Sequence, residues 1–256
     1  IGTVVATIGT TATGSVDPLP ALLDLRERYG FRVHADAAYG GYFVLSGGLA
    51  AETGRAYERL SEVDSIVVDP HKHGLQPYGC GCVLFRDPEV GRFYKHDSPY
   101  TYFSSAELHL GEISLECSRP GAAAVALWAT QRLLPLVKDG EFAKMLDSGR
   151  AAALALHGKI RSDRRFLTTI APELDIVCWM PRATRASETS RMARAIFAEA
   201  GRRQLHLALA HLPAEFFDLA GAGMERDSAT VTCLRSVLMK PEHLEWVDHI
   251  WAILDQ

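Results

Sequence analysis

The chain has 256 residues, of which 48% are hydrophobic and 23% are charged, a composition typical of a globular protein with one large domain or two modest ones. A net charge of −4 excludes a global field that would draw the chain to nucleic acid or to an anionic membrane. The five cysteines include no Cys-x-x-Cys pair, which favours thiols in a reducing compartment over a disulfide frame or zinc site. No apolar run is long enough to span a bilayer. We therefore expect a cytoplasmic protein.

The first part of the chain predicts a βαβ unit. Residues 1–8 are typical of a buried strand, and because a core strand seldom starts a chain, we expect further sequence upstream. After the polar turn 9–14, Asp17-Pro18 predicts a helix N-cap followed by proline at the first helical position. Gly30 is the expected stop of that helix. Residues 31–36 alternate apolar and polar side chains as a second strand, so a parallel sheet follows.

The pattern continues with a helix at 52–60, a short strand over the β-branched run 66–68 that stops at Asp69-Pro70, and an apolar strand at 79–85. The sheet therefore has at least four strands. From 86 to 116 the periodicity breaks down, and a loop of this length inside a compact protein is usually functional. An Ala- and Leu-rich helix is predicted at 122–134.

Beyond residue 135 the organisation changes to a mixture of strands and helices. We predict a small α+β domain packed on the first, and we divide the chain into 1–140 and 141–256. The predicted elements of the second domain are helices at 141–160, 187–200 and 242–254 and strands at 166–170, 175–180, 205–209 and 229–234.

Two side chains with complementary chemistry follow the ends of neighbouring predicted strands. Lys72 lies just beyond one strand, flanked by His71 and His73, and Asp36 closes another. Ligands of open α/β sheets gather at this edge. A lysine amine forms a Schiff base with pyridoxal phosphate, and a carboxylate keeps the ring nitrogen of that cofactor protonated. The small side chain of Ala38 leaves a flat surface for a ring.

Three motifs resemble those of the group II pyridoxal-phosphate-dependent decarboxylases, in the same order and spacing. They are the segments 9–17 (GTTATGSVD), 34–41 (HADAAYGG) and 69–74 (DPHKHG). The family includes the glutamate, tyrosine and aromatic amino acid decarboxylases and the related sphingosine phosphate lyases. The segments 118–122 (SRPGA) and 234–239 (LRSVLM) extend the resemblance along nearly the whole chain. It implies the α/β, fold-type I architecture, with part of the large, mostly parallel-sheet domain followed by a small C-terminal α+β domain.

The resemblance also implies a role for each matched side chain. Lys72 would hold pyridoxal phosphate as a Schiff base, and Asp36 would pair with the pyridine nitrogen. Ala38 would pack on one face of the ring, and His71 would contact the phosphate or orient the Schiff base. Either Thr10 or Thr11 would hydrogen-bond near the ring hydroxyl or the aspartate.

One departure from the family pattern is Asp69, where many relatives carry Asn or Ser near the phosphate. An acid there would repel a phosphate unless it faced away, so we leave Asp69 outside the predicted site. The phosphate loop and the histidine that stacks on the other ring face are expected upstream of residue 1.

Three further side chains have alternative interpretations. Tyr100, or Tyr102 on the same loop, is a candidate proton donor to the carbanion, and packing at a dimer interface is the alternative. Arg119 would clamp an anion or form a structural salt bridge. Arg235 alternates with apolar residues on a predicted strand, and it would bind a substrate carboxylate or serve packing alone.

We therefore predict α-decarboxylation of an L-amino acid by a carboxy-lyase that depends on pyridoxal phosphate. The resemblance implies a homodimer, and we expect no nucleic-acid or membrane partner. One alternative keeps the cofactor but cleaves a carbon–carbon bond in a phosphorylated amino alcohol, as the lyases do. Another is a catalytically silent fragment that acts only in dimerisation.

Overall fold

The computed structural model describes residues 1–95 and 121–255. The described part contains two four-stranded sheets, whose strands respectively precede and follow in the chain the long helix that starts at Glu141. The strands are β1 (Thr3–Thr7), β2 (Arg32–Asp36), β3 (Ser65–Val68), β4 (Cys82–Phe85), β5 (Phe166–Thr168), β6 (Ile176–Pro181), β7 (Ala208–Pro213) and β8 (Thr230–Val237). The helices are α1 (Leu19–Tyr29), α2 (Ala51–Glu58), α3 (Ala122–Leu133), α4 (Glu141–Ser162), α5 (Ala186–Arg202) and α6 (His243–Leu254).

The first sheet has the strand order β1-β2-β3-β4. The first three strands are parallel, and β4 runs antiparallel to β3. This arrangement confirms the predicted fold class, a mostly parallel α/β sheet. The βαβ unit is present as predicted, and α1 ends at Gly30, whose φ of 69° is left-handed.

Two details of the first sheet differ from the prediction. The first strand is not buried throughout, because Val5 remains 55% exposed while Ala6 beside it is buried; side chains alternate between the faces of a strand, and only one face is covered. Asp17 does not cap α1. Its Oδ2 instead accepts the backbone N–H of Thr7 at 2.7 Å, which ties the entry of the helix to the end of β1.

The second sheet has the order β5-β6-β8-β7, with every neighbouring pair antiparallel. The strand predicted at 205–209 is wrong by several residues, since β7 runs from Ala208 to Pro213. Leu205 and Leu207 belong to the lead-in and still pack against the core, so they carry the same apolar pattern as a strand. The two sheets fall within the two predicted domains, and the boundary itself stays a prediction.

The apolar core of the first sheet continues into the second half of the chain. Phe43 and Val33 belong to the same buried cluster as Phe142, Ile176 and Met180. A second cluster lies between α4, α6 and the second sheet, around Leu156, Trp179 and Leu234. The shared core brings the loops of the first sheet into direct contact with the start of β6.

Residues 1–95 and 121–255 contain no group of three or more His, Cys, Asp or Glu side chains arranged to hold a metal ion. Within the same ranges, no helix combines the length and the apolar character that crossing a membrane requires. Among the described cysteines, Cys80, Cys178 and Cys233 are buried free thiols and Cys82 is a partly buried one.

A buried histidine on α4 makes the stability depend on pH. Burial, with a smaller contribution from Arg161, lowers the pKa of His157 below 6.5. The unfolded chain therefore binds more protons between the two pKa values, so this contribution to stability is present above pH 6.5 and lost as the pH falls. We expect the free energy of unfolding to fall less steeply between pH 7 and pH 5 in His157→Gln, measured by urea denaturation. Equal pH dependence in the two proteins would contradict this assignment.

Candidate active site

The loops that follow β2 and β3 meet at the carboxyl edge of the first sheet. Asp36 is paired in register with Val67, and the Ala37 N–H donates to the Val67 carbonyl at 3.1 Å. Beyond the strands, the Asp69 N–H donates to the Ala38 carbonyl at 3.3 Å. The loop after β2, which follows Asp36, and the loop after β3, which carries Lys72, are therefore joined by backbone hydrogen bonds.

Lys72 forms an ion pair with Asp69, which lies outside the predicted site. Its Nζ lies 2.9 Å from Asp69 Oδ2, and its backbone N–H donates to the Asp69 carbonyl, also at 2.9 Å. About a third of the lysine side chain stays exposed, at 30%. Asp69 is thus the ion-pair partner of the lysine, and its exclusion from the site stays a prediction. In the sequence, this turn is indicated by Pro70 and by the three-residue spacing between Asp69 and Lys72.

His71 is anchored on the same loop. Its Nδ1 lies 2.8 Å from the Cys80 carbonyl, which also accepts the His71 backbone N–H at 3.1 Å. A carbonyl only accepts, so Nδ1 carries a proton. Nε2 points to the side of Asp69, 3.8 Å from Oδ2. The imidazole therefore lies beside the Lys72–Asp69 pair.

Asp36 is a half-buried carboxylate at the end of β2. Its Oδ1 accepts the Ala38 N–H at 3.3 Å. Among the described residues, no cationic side chain lies within ion-pair distance of Asp36. A half-buried carboxylate that has no cationic partner among the described residues is suited to pair with a cationic ring nitrogen.

The turn after β1 places the two predicted threonines differently. The Thr10 hydroxyl is held inside the turn, 2.8 Å from Thr13 Oγ1, and accepts the Ser15 N–H at 3.1 Å. Thr11 is exposed. Contact of either threonine with a cofactor stays a prediction.

Arg235 approaches this turn from the second sheet. Its Nε donates to the Ala12 carbonyl at 3.0 Å, and Cys178 Sγ donates to the same oxygen at 3.2 Å. The arginine is thereby held near the turn that follows β1. Tyr100, Tyr102 and Arg119 lie outside the described residues.

Close backbone packing holds the lysine loop in place, and Gly74 makes it possible. A Cβ at Gly74 would lie 2.3 Å from the Tyr42 hydroxyl and 2.6 Å from the Pro70 Cα. We expect Gly74→Ala to lower the free energy of unfolding by about 1–3 kcal/mol through overpacking, measured by chemical denaturation. Gly54→Ala is the matched control, because nothing lies within 4 Å of a Cβ there. Equal stability of the two variants would contradict the tight packing.

A family model described as the pyridoxal-dependent decarboxylase conserved domain matches residues 1–182. The chain belongs to this family. It is 33% identical over 171 residues to the L-tyrosine decarboxylase of Enterococcus faecium, covering 54% of this chain and 28% of that protein. It is 37% identical over 127 residues to the L-aspartate decarboxylase of Thermococcus kodakarensis, covering 49% and 32%.

Solved structures share the fold of this decarboxylase-family chain. The Oryza sativa TDC crystal structure with PLP and tryptamine superposes with a TM-score of 0.76 at 21% identity, over 99% of this chain and 50% of that one. The chain thus spans about half the length of this structure and about a third of the curated relatives that it matches. The fold-type I architecture expected from the resemblance is confirmed.

Pyridoxal phosphate is the cofactor of the family, and the described residues of this family member suit part of it. A lysine amine and a half-buried carboxylate without a cationic partner lie on hydrogen-bonded loops. Ala38 places only a methyl group beside that carboxylate. Lys72, Asp36 and Ala38 are the side chains that would hold the aldehyde end, the ring nitrogen and one ring face.

Proposed function

We propose that the chain forms part of an enzyme that uses pyridoxal phosphate to remove the α-carboxylate of an L-amino acid as carbon dioxide. The observation that carries the proposal is the junction between the β2 and β3 loops. It brings the Lys72 amine and the Asp36 carboxylate to one edge of the sheet. Those are the two groups that a pyridine aldehyde needs at opposite ends of its ring.

Each side chain has a task that its contacts support. When bound, the cofactor supplies a conjugated cationic ring that takes up the electron pair left by carbon dioxide. Asp36 holds the proton at the ring nitrogen, and Ala38 leaves room for the ring. Lys72 supplies the nucleophilic amine. Asp69, 2.9 Å from its Nζ, orients the amine and is positioned to receive its proton.

For the substrate we propose an L-amino acid whose α-carboxylate contacts Arg235. The guanidinium is fixed to the Ala12 carbonyl beside the site, and a guanidinium suits bidentate recognition of a carboxylate. Tyrosine and aspartate are the first substrates to test, because the relatives are named for them. His71 and Tyr100 remain the proposed phosphate or Schiff-base contact and proton donor.

The test is the visible absorption spectrum of the full-length protein mixed with pyridoxal phosphate, followed by borohydride reduction and peptide mapping. We expect a visible band and a reduced pyridoxyl group on the peptide that contains Lys72. Release of carbon dioxide from an amino acid then identifies a decarboxylase, whereas release of an aldehyde from a phosphorylated amino alcohol identifies the lyase alternative. A folded, full-length protein without the band overturns the proposal and leaves the silent dimerising fragment.

We further propose that the enzyme is a cytoplasmic homodimer. Helix α3 has no buried side chain in the described structure, and Val125, Trp128 and Leu133 are exposed on it. An exposed apolar helix of this kind is typical of a surface that another chain covers. Sedimentation equilibrium of the full-length protein and of Trp128→Glu tests this, with a shift toward monomer expected for the variant.

A further inference from the structure

His73 follows the lysine directly, and its side chain points into the protein. It is 5% exposed. Its Nδ1 lies 3.0 Å from the Tyr39 carbonyl, and its Nε2 lies 2.8 Å from Asp175 Oδ2. The edges of the Tyr39 and Phe43 rings pack against the imidazole, at centroid distances of 4.6 and 5.1 Å. Two polar contacts and two ring contacts thus hold the neighbour of Lys72.

The partner carboxylate comes from the other half of the chain. Asp175 lies just before β6, 102 positions after His73, and is 1% exposed. Its second oxygen accepts the Tyr39 hydroxyl at 2.7 Å. Burial and the nearby Asp175 charge raise the pKa of Tyr39, so the hydroxyl remains a donor. One buried carboxylate therefore binds a residue of each loop of the candidate active site.

The hydrogen bonds of this trio require a proton at each contact of the imidazole. Both imidazole nitrogens face oxygens, and the Tyr39 carbonyl and an ionised Asp175 only accept. Both contacts are made when Nδ1 carries one proton and a second proton lies between Nε2 and Asp175 Oδ2. Burying such a pair costs desolvation that its attraction scarcely offsets. Its benefit is geometric: it defines one arrangement of two loops.

We propose that His73 and Asp175 are positioning residues that fix the separation of Lys72 and Asp36, an inference that rests on the proposed function. Tyr39 lies three residues after Asp36, and His73 lies one residue after Lys72. The ring nitrogen and the aldehyde of pyridoxal phosphate lie at opposite ends of a rigid ring. Lys72 and Asp36 reach both ends together only at one separation. The Tyr39–Asp175–His73 trio connects the two loops and sets that separation.

The experiment measures how fast the full-length protein acquires borohydride-trapped pyridoxyl label on Lys72. We expect His73→Phe and Asp175→Ala each to slow labelling by about 10- to 100-fold, the cost of a displaced reacting group. The double variant is expected to be no slower than the slower single variant, because both remove one connection. Asp175→Asn is expected to restore the rate, since an amide accepts from Tyr39 and donates to a neutral imidazole.

The matched control is His157→Phe, which replaces a buried histidine on α4. This control distinguishes a positioning effect from a loss of stability. Thermal unfolding is measured for every variant. In the control, Lys72 is expected to acquire the pyridoxyl label at the wild-type rate. Wild-type rates in His73→Phe and Asp175→Ala, or a slowing in the control that matches its loss of stability, would overturn the inference.

A second readout does not need the cofactor. The experiment compares the acylation rates of Lys72 and Lys159 by a small amine-reactive reagent in the wild type and in the same variants, using mass spectrometry. Positioning predicts that His73→Phe and Asp175→Ala change the reactivity of Lys72 alone. Unchanged reactivity overturns the inference. Absence of pyridoxyl label on the wild-type protein, with Lys72 reactivity still responding to the variants, counts against the proposed function and leaves the loop connection intact.

Discussion

Lys72→Ala is expected to abolish the visible band of the protein mixed with pyridoxal phosphate and to lower turnover by at least about 10³-fold. The amine is the only group of this side chain that can bond to an aldehyde, and alanine removes it. Lys72→Arg should lose activity to the same extent while keeping the charge beside Asp69, because a guanidinium stays protonated and is a poor nucleophile. The measurement combines the spectrum, borohydride trapping and carbon dioxide release.

The chain offers a matched control for this prediction. Lys159 is also ion-paired, with its Nζ 2.7 Å from Asp248, and its side chain is 35% exposed against 30% for Lys72. Lys159→Ala should therefore keep the band and the turnover. A pyridoxyl group trapped on another lysine, or full activity in Lys72→Arg, would contradict the role given to Lys72.

The sequence was sufficient for the parts of this fold that depend on local pattern. Alternating side chains at 31–36 predict β2 correctly, and the Gly30 stop depends on one residue's φ. The strand end at Asp69-Pro70 predicted the place of Lys72 because proline cannot continue the strand pairing. These signals act over a few residues, so a sequence displays them directly.

The remainder of the site depends on contacts between distant parts of the chain. Asp69 was excluded on charge, although a cation only three residues away compensates that charge. Nothing in the pattern around Asp175 distinguishes it from a surface acid at a strand start. Only the shared core, which packs the start of β6 under the two loops, buries it against His73. Such a pairing follows from tertiary packing and has no local signature.

Asp36→Asn is expected to lower turnover by about 10²–10³-fold, the usual cost of removing one group aimed at developing charge, with smaller effects on cofactor attachment. The neutral amide no longer favours a proton on the ring nitrogen, and an unprotonated ring takes up electrons poorly. Lys72 is untouched, so borohydride should still trap the label. Measuring kcat separately from the rate of labelling distinguishes this defect from loss of the cofactor.

Asp64→Asn is the control, since Asp64 is a carboxylate at the opposite edge of the same sheet. It also accepts a backbone N–H, that of Val33, at 2.8 Å. Its turnover should match the wild type. Reconstituting Asp36→Asn with an N-methylated cofactor, whose ring is cationic without a proton, should recover part of the lost turnover. A variant that turns over normally with the natural cofactor would show that the ring nitrogen has another partner, and Asp36 would then be a structural carboxylate that supports the Ala38 turn.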